Sequence, residues 1–301
     1  MRSFPPLPNV LGPDAPDDLL SGHLWLLELI DGTGLRVRMD ESGLLRFGDP
    51  ETIYESFDAV PLALRPAVRH VRERFDREAL RASVDDPAGV VFFGVAPHYR
   101  GTEYDWERLP PFLGTDVWSD EAATAGGAFR PPDAAAAIFE GVGLDPITVV
   151  ERERNARDFD PEAYRIPESA WRDGPAAGVV VRNKRGGRGR ITPDHADASE
   201  DASAPASDPI DRSASDELDA LDEIVARYVT RARVDRAVDS AGRGGDPPAI
   251  GPIADRVVES VARETPVGFG GEAAFAVAVD RDEFRTAAMD RVRRVVRTSG
   301  T

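Results

Sequence analysis

Between positions 193 and 216 the chain holds almost nothing apolar: Pro-Asp-His-Ala-Asp-Ala-Ser-Glu-Asp-Ala-Ser-Ala-Pro-Ala-Ser-Asp and onward. Such a stretch cannot bury enough surface to offset the entropy of ordering it, so it is expected to be an acidic flexible linker. The 301 residues then divide into a larger part, 1–192, and a smaller part, 217–301, each long enough for its own core. Before the break the patterning mixes strands and helices. His23 to Ile30 is an apolar run, Asp31-Gly-Thr-Gly34 reads as a turn, and Leu35 to Met39 and Leu44 to Phe47 continue as strands, together a β-hairpin. Val60 to Val84 carries Leu62, Leu64, Val68, Val71, Phe75 and Leu80 at helical spacing, and Pro132 to Gly141 opens on Pro-Pro-Asp as a helix does. Gly89 to Gly94, Phe112 to Trp118, Ile147 to Val150 and Gly178 to Arg182 read as strands, the last running into a glycine- and arginine-rich turn from Asn183 to Arg190. After the break, Glu217 to Ala237, Ile250 to Arg263 and Arg281 to Arg297 read as helices, with an interruption from Gly242 to Pro248. The expected class is α+β with a small, mostly helical C-terminal domain.

Composition narrows the chemistry. Asp and Glu number 54 against 37 Lys and Arg, a formal net charge of −17, and the bases include a single lysine, Lys184. An acidic, lysine-poor, arginine-rich surface suits a halophilic solvent, where charges are screened within about 3 Å at 1 M salt. The balance therefore speaks of solvent more than of partner. With no cysteine there is no disulfide, thiolate nucleophile or cysteine-held metal, and the four scattered histidines argue against zinc. No run approaches the roughly 18 apolar residues of a membrane span. Met1 to Pro8 has neither a basic patch nor an apolar stretch, so a cytoplasmic protein without membrane contact is expected. Short motifs add little. Gly32-Thr-Gly34 and Gly268-Phe-Gly-Gly271 lack the context of a dinucleotide fingerprint, Gly186-Gly-Arg-Gly189 lacks the Lys-Ser/Thr of a P-loop, and no Gly-x-Ser-x-Gly occurs.

Several segments become informative in their order. Glu28-Leu-Ile-Asp-Gly-Thr33 resembles the Lys-x-Asp-Gly signature of the covalent nucleotidyltransferases, the superfamily of DNA ligases, RNA ligases and capping enzymes. Val91-Phe-Phe-Gly-Val95 is similar to the third signature, which usually ends Phe-Gly-Glu. Tyr104-Asp-Trp106 and Phe112-Leu-Gly-Thr-Asp-Val117 are similar to the elements that follow it. Ala177-Gly-Val-Val-Val-Arg-Asn183 resembles the fourth signature, Glu-Gly-Val-Val-Val-Arg, and Arg188-Gly-Arg-Ile191 stands where the fifth, Lys-x-Lys, belongs. Leu221 to Val234 is similar to the C-terminal domain of RNA ligase 2-type enzymes. Together these segments resemble the ATP-dependent RNA ligases, over nearly the whole chain.

The resemblance implies a nucleotidyltransferase (ligase adenylation-domain) fold with antiparallel sheets, ATP with magnesium as cofactor, and nucleotide or RNA as ligand. The departures then matter. In that superfamily a lysine amine attacks the α-phosphate of ATP; here the position is Leu29, which has no lone pair, and the two carboxylate positions are Val95 and Ala177. No catalytic or metal-binding residue is expected. The expected nucleotide- or phosphate-binding residues are Glu28, Asp31, Gly32, Arg36, Arg182, Lys184, Arg188 and Arg190. Arg182, Lys184, Arg185, Arg188 and Arg190 read either as a phosphate-facing patch or as an exposed turn balancing nearby carboxylates, and Tyr99, Tyr104 and Trp106 either as stacking platforms or as core. Three functions follow: an RNA ligase-like protein that binds without catalysing, an active ligase with a rearranged site using Lys184, or a structural or regulatory partner of an active ligase paralogue.

Overall fold

The computed structural model describes residues 1–120, 127–193, 214–242, 249–269 and 277–299. The chain forms two compact units: Met1–Val60 with Ala67–Glu200, and Pro61–Pro66 with Asp201–Thr301. The first contains β1 (His23–Leu29), β2 (Gly32–Met39), β3 (Leu45–Gly48), most of α1 (Arg65–Arg74), α2 (Arg77–Ser83), β4 (Val90–Pro97), β5 (Leu113–Ser119), β6 (Ala128–Phe129), α3 (Pro132–Gly141), β7 (Val149–Asn155), β8 (Gly178–Asn183) and β9 (Arg188–Ile191). Two antiparallel sheets result, ordered β7-β1-β8-β9 and β3-β2-β4-β5-β6.

The expected hairpin across Asp31–Gly34 is corrected by this topology. β1 pairs with β7 and β8 while β2 pairs with β3 and β4, so the chain leaves one sheet at Ile30 and enters the other at Gly32. The glycines serve close approach inside β2 and make no turn. A Cβ on Gly32 would stand 2.4 Å from the Ala96 carbonyl oxygen, and one on Gly34 would stand 2.8 Å from the Phe4 ring. The expected turn from Asn183 to Arg190 is likewise shorter, because Arg188 and Arg190 lie on β9, paired with Arg182 and Val180.

Alternation along the strands assigns the faces. Leu24 and Leu26 of β1 pack with Val179 and Val181 of β8, Val10, Leu19 and Phe159 on the outside of the four-stranded sheet. Trp25 and Leu27 face the other way, sharing a cluster with Leu113 and the half-buried Val95 and Val180, so the cleft between the sheets is filled by a layer of packed side chains. On β4, Phe93 and Val95 face this layer, whereas Phe92 packs edge-on against Phe75 and Phe139, on the helix-covered side. Each fully buried ring of this kind contributes roughly 1.5–3 kcal/mol. The single helix expected from Val60 to Val84 is broken at Phe75 and Asp76, where the Asp76 carboxylate caps α2 by accepting from the Glu78 and Ala79 amides.

The second unit holds α4 (Ala214–Tyr228), α5 (Arg231–Ala241), α6 (Ile250–Glu264), β10 (Val267–Phe269), β11 (Val277–Val279) and α7 (Arg281–Ser299). Val225, Val234, Val257, Val261, Phe284 and Val292 form its core, with Leu62 packed against it. The helix expected over 217–237 is two helices, because Thr230 leaves helical geometry and caps α5 through the Arg233 amide. β10 and β11 form a short parallel pair that the helical expectation omits. Of the expected linker, 194–213 lies outside the described residues and 214–216 belong to α4; the expected break at 242–248 lies outside them from 243 onward. No helix among the described residues is long and apolar enough to cross a membrane.

Candidate functional site

Strand register gathers most of the expected site residues onto the two walls of the cleft. Leu29 shares a face with Trp25 and Leu27 and stands opposite Gly178, so Ala177 adjoins it at the same end of β8. Val95 faces the layer from β4, opposite Gly34. Leu29 and Val95 thus put apolar side chains on the cleft side at two of the positions where the family resemblance calls for an amine and carboxylates, while Ala177, the third, lies just before β8.

Arg36, Arg182, Arg188 and Arg190 also alternate onto the cleft side, but the first three are not an exposed patch, Arg36 being 4 % exposed. Arg182 is 2 % and Arg188 5 % exposed. Arg182 Nη2 and Arg188 Nη1 both donate to Asp116 Oδ1, at 2.8 and 2.7 Å. Arg182 also reaches the Thr115 carbonyl at 2.9 Å, and Arg188 stacks 4.6 Å from the centre of the Phe129 ring. Burial pushes the Arg182 guanidinium below its ordinary range, while Asp116 opposes the shift. Because Asp116 and Phe129 belong to the five-stranded sheet and both arginines to the four-stranded one, the cluster ties the cleft walls together. Breaking a buried pair of this kind by removing one partner costs about 3–5 kcal/mol.

The remaining expected residues divide. Glu28 alternates to the outer face, 2 % exposed, where it accepts from Ser169 Oγ at 2.6 Å and the Ala170 amide at 3.3 Å. Burial raises its carboxyl above the ordinary range against the pull of these two bonds. Asp31 sits at the crossover between sheets, where its carboxylate accepts from the Thr102 hydroxyl and its amide donates to the Tyr104 hydroxyl at 3.0 Å. Tyr104 is therefore a core residue with a polar handle, in edge contact with Trp106 at 5.5 Å. Arg100 lies 3.4 Å from the Gly32 carbonyl. Lys184 is exposed, 2.8 Å from Glu153, which also accepts from the Trp25 indole at 2.9 Å. That hydrogen bond raises the lysine above its usual value. Glu153 makes these contacts from left-handed backbone, φ 57°, a conformation that costs of order 1 kcal/mol or more.

The expected site residues do not include Asp116, Phe129, Arg2 or Phe4, all of which meet the cleft, although Phe112–Val117, with Asp116 in it, is among the segments that carry the resemblance. One signal pointed to Asp116: a carboxylate inside an otherwise apolar strand demands buried cations. Nothing in Arg2 or Phe4 by itself signals their place.

No protein-family model matches the chain, and none of the curated proteins does. Solved structures similar to it are RNA ligases. An RNA ligase of Naegleria gruberi with PPi is 12% identical, covering 66% of this chain and 58% of its own, with a TM-score of 0.48. A variant of the Naegleria gruberi ligase with ATP and Mn is 12% identical over 60% of this chain and 52% of its own, TM-score 0.45. An archaeal ATP-dependent RNA ligase is 13% identical over 97% of this chain and 63% of its own, TM-score 0.43. This chain spans less than two thirds of the length of each.

Proposed function

We propose that the chain is an RNA ligase-like protein with a nucleotidyltransferase frame that holds nucleotide or RNA without covalent chemistry. One observation carries the reading: β1 delivers Leu29, not an amine, to the cleft face, and the sole lysine lies at the opposite end of β8. Six residues of strand separate Lys184 from the level of Leu29, about 20 Å at the usual rise, too far for a relocated nucleophile to use the same phosphate position. The residues do not fit a bound divalent cation either. Val95 and Ala177 offer no oxygen where the resemblance would place ligands, and no three His, Asp or Glu side chains gather among the described residues. Arg36, Arg182 and Arg188 meet in the cleft with two carboxylates, Asp116 between the latter pair and Asp49 near Arg36, an excess of cation that suits an anion.

Incubation with α-labelled ATP and magnesium, followed by denaturing electrophoresis, tests the loss of chemistry. No labelled protein is expected. A labelled band on the native chain defeats the reading, and its disappearance in Lys184→Ala would identify the rearranged ligase instead. The triple variant Leu29→Lys, Val95→Glu, Ala177→Glu is expected to regain partial self-adenylation if the frame can still support the reaction.

A further inference from the structure

The cleft already has an occupant, the first residues of the chain itself. Phe4 meets Phe93 edge-on at 5.1 Å between ring centres and lies over Gly34, the one position on β2 where the absence of a side chain admits the ring. Arg36 Nη1 donates to the Arg2 carbonyl at 3.0 Å, and the Arg36 guanidinium stands 6.0 Å from the Phe4 ring centre. The Arg2 guanidinium lies 4.7 Å from the Trp118 ring and 5.7 Å from Phe129. Further along, the Arg190 amide donates to the Pro8 carbonyl at 2.8 Å and the Val10 amide to the Arg190 carbonyl at 2.9 Å. Residues 2–10 thus run from the inner face of one sheet to the free edge of the other.

This occupant answers the cleft incompletely. It supplies a ring and one carbonyl, yet Arg36 Nε, Arg182 Nε, Arg188 Nη2 and Trp118 Nε1 remain buried donors without an acceptor. It also brings a further cation, Arg2, to walls where Asp116 already faces two buried arginines. A molecule combining an aromatic ring with phosphate would fill the Phe4 volume and meet the idle donors, exchanging a cation for an anion. We propose that Arg2–Phe4 is a displaceable strap that competes for the cleft with a ligand carrying a base and phosphates: a free nucleotide or the 5′-phosphorylated end of an RNA. This rests on the non-covalent binding proposed above. The fraction of molecules with the strap released then sets the apparent affinity.

Calorimetric titration of the full chain and of an Arg2→Ala/Phe4→Ala variant with ATP, inorganic tripolyphosphate and a 5′-phosphorylated oligoribonucleotide tests it. The variant is expected to bind ATP or the oligonucleotide at least about tenfold more tightly than the native chain. Tripolyphosphate, which has no ring, should gain less. The arm with the larger gain tells free nucleotide from RNA end. Phe4→Leu, which keeps an apolar side chain, serves if the double variant does not fold, and amide exchange at Ser3, Phe4 and Leu7 of the native chain should quicken when ATP is added. Equal affinities with unchanged exchange overturn the strap and leave the binding reading standing. Weaker binding by the variant overturns it by making Phe4 part of the ligand's seat. Absence of binding in every protein removes the binding reading itself, and the strap with it.

Discussion

The two ends of β8 meet opposite fates. At Gly178 the strand faces Leu29, next to Ala177, and everything the resemblance would assign to bond-making is apolar. At Arg182, Asp116 and Arg188 form a charged cluster buried between the sheets. The contrast separates groups that serve only chemistry from groups that also hold the frame. A nucleophile can give way to leucine at little cost to folding, whereas a guanidinium that bridges two sheets through one carboxylate cannot be removed without stranding its partners. Arg182 and Arg188 thus have a structural reason to be where they are that is independent of any ligand.

The sharpest way to break this contrast is Asp116→Ala, which leaves two buried guanidinium groups uncompensated and is expected to cost about 3–5 kcal/mol of unfolding free energy in denaturant titration. A loss below about 1 kcal/mol would mean that the cluster does not join the sheets. Arg188→Lys keeps the charge but gives up the planar stack on Phe129, and a smaller loss of about 1–2 kcal/mol is expected by the same measurement. On β1, opposite Val179 and turned to the outer face, Glu28→Gln changes how stability depends on pH. The folded-state carboxyl lies above its unfolded value, so its contribution is fully present below the unfolded pKa, near 4.5, and is lost as pH rises through the folded one. The variant should show a flatter stability profile across that acidic window. An unchanged slope would show that Glu28 is not held in a desolvated site. Lys184→Ala is expected to do least: the pair with Glu153 is exposed, and the unfolding midpoint should stay within experimental scatter.

Strands whose apolar residues announce them, such as Val179 to Val181 or Val91 to Phe93, were legible because burial and β-branching agree. What escaped depended on partners distant in sequence. Gly32 and Gly34 read as a turn because glycine is the usual turn residue, yet here they let Ala96 and Phe4 approach, a fact written in residues 64 positions on and 30 positions back. Asp76 and Thr230 interrupt runs whose hydrophobic spacing continues past them, since a cap is a local hydrogen bond that periodicity does not sense. Leu29, Val95 and Ala177 were readable as departures from a pattern, and strand pairing then turns Leu29 and Val95 to the cleft side. That Arg182 and Arg188 are buried was not readable, because it rests on the single carboxylate of Asp116 across the cleft.

The crossover at Ile30 and Asp31 carries a mechanical consequence. Two residues of extended chain reach about 7 Å at most, so the sheets cannot slide far past one another at this end. They are bound like the covers of a book, with Thr102 and Tyr104 stitching the spine at Asp31. Phe4, lying over Gly34, rests only three residues along β2 from that spine, while Arg2 reaches away from it to Trp118 and Phe129.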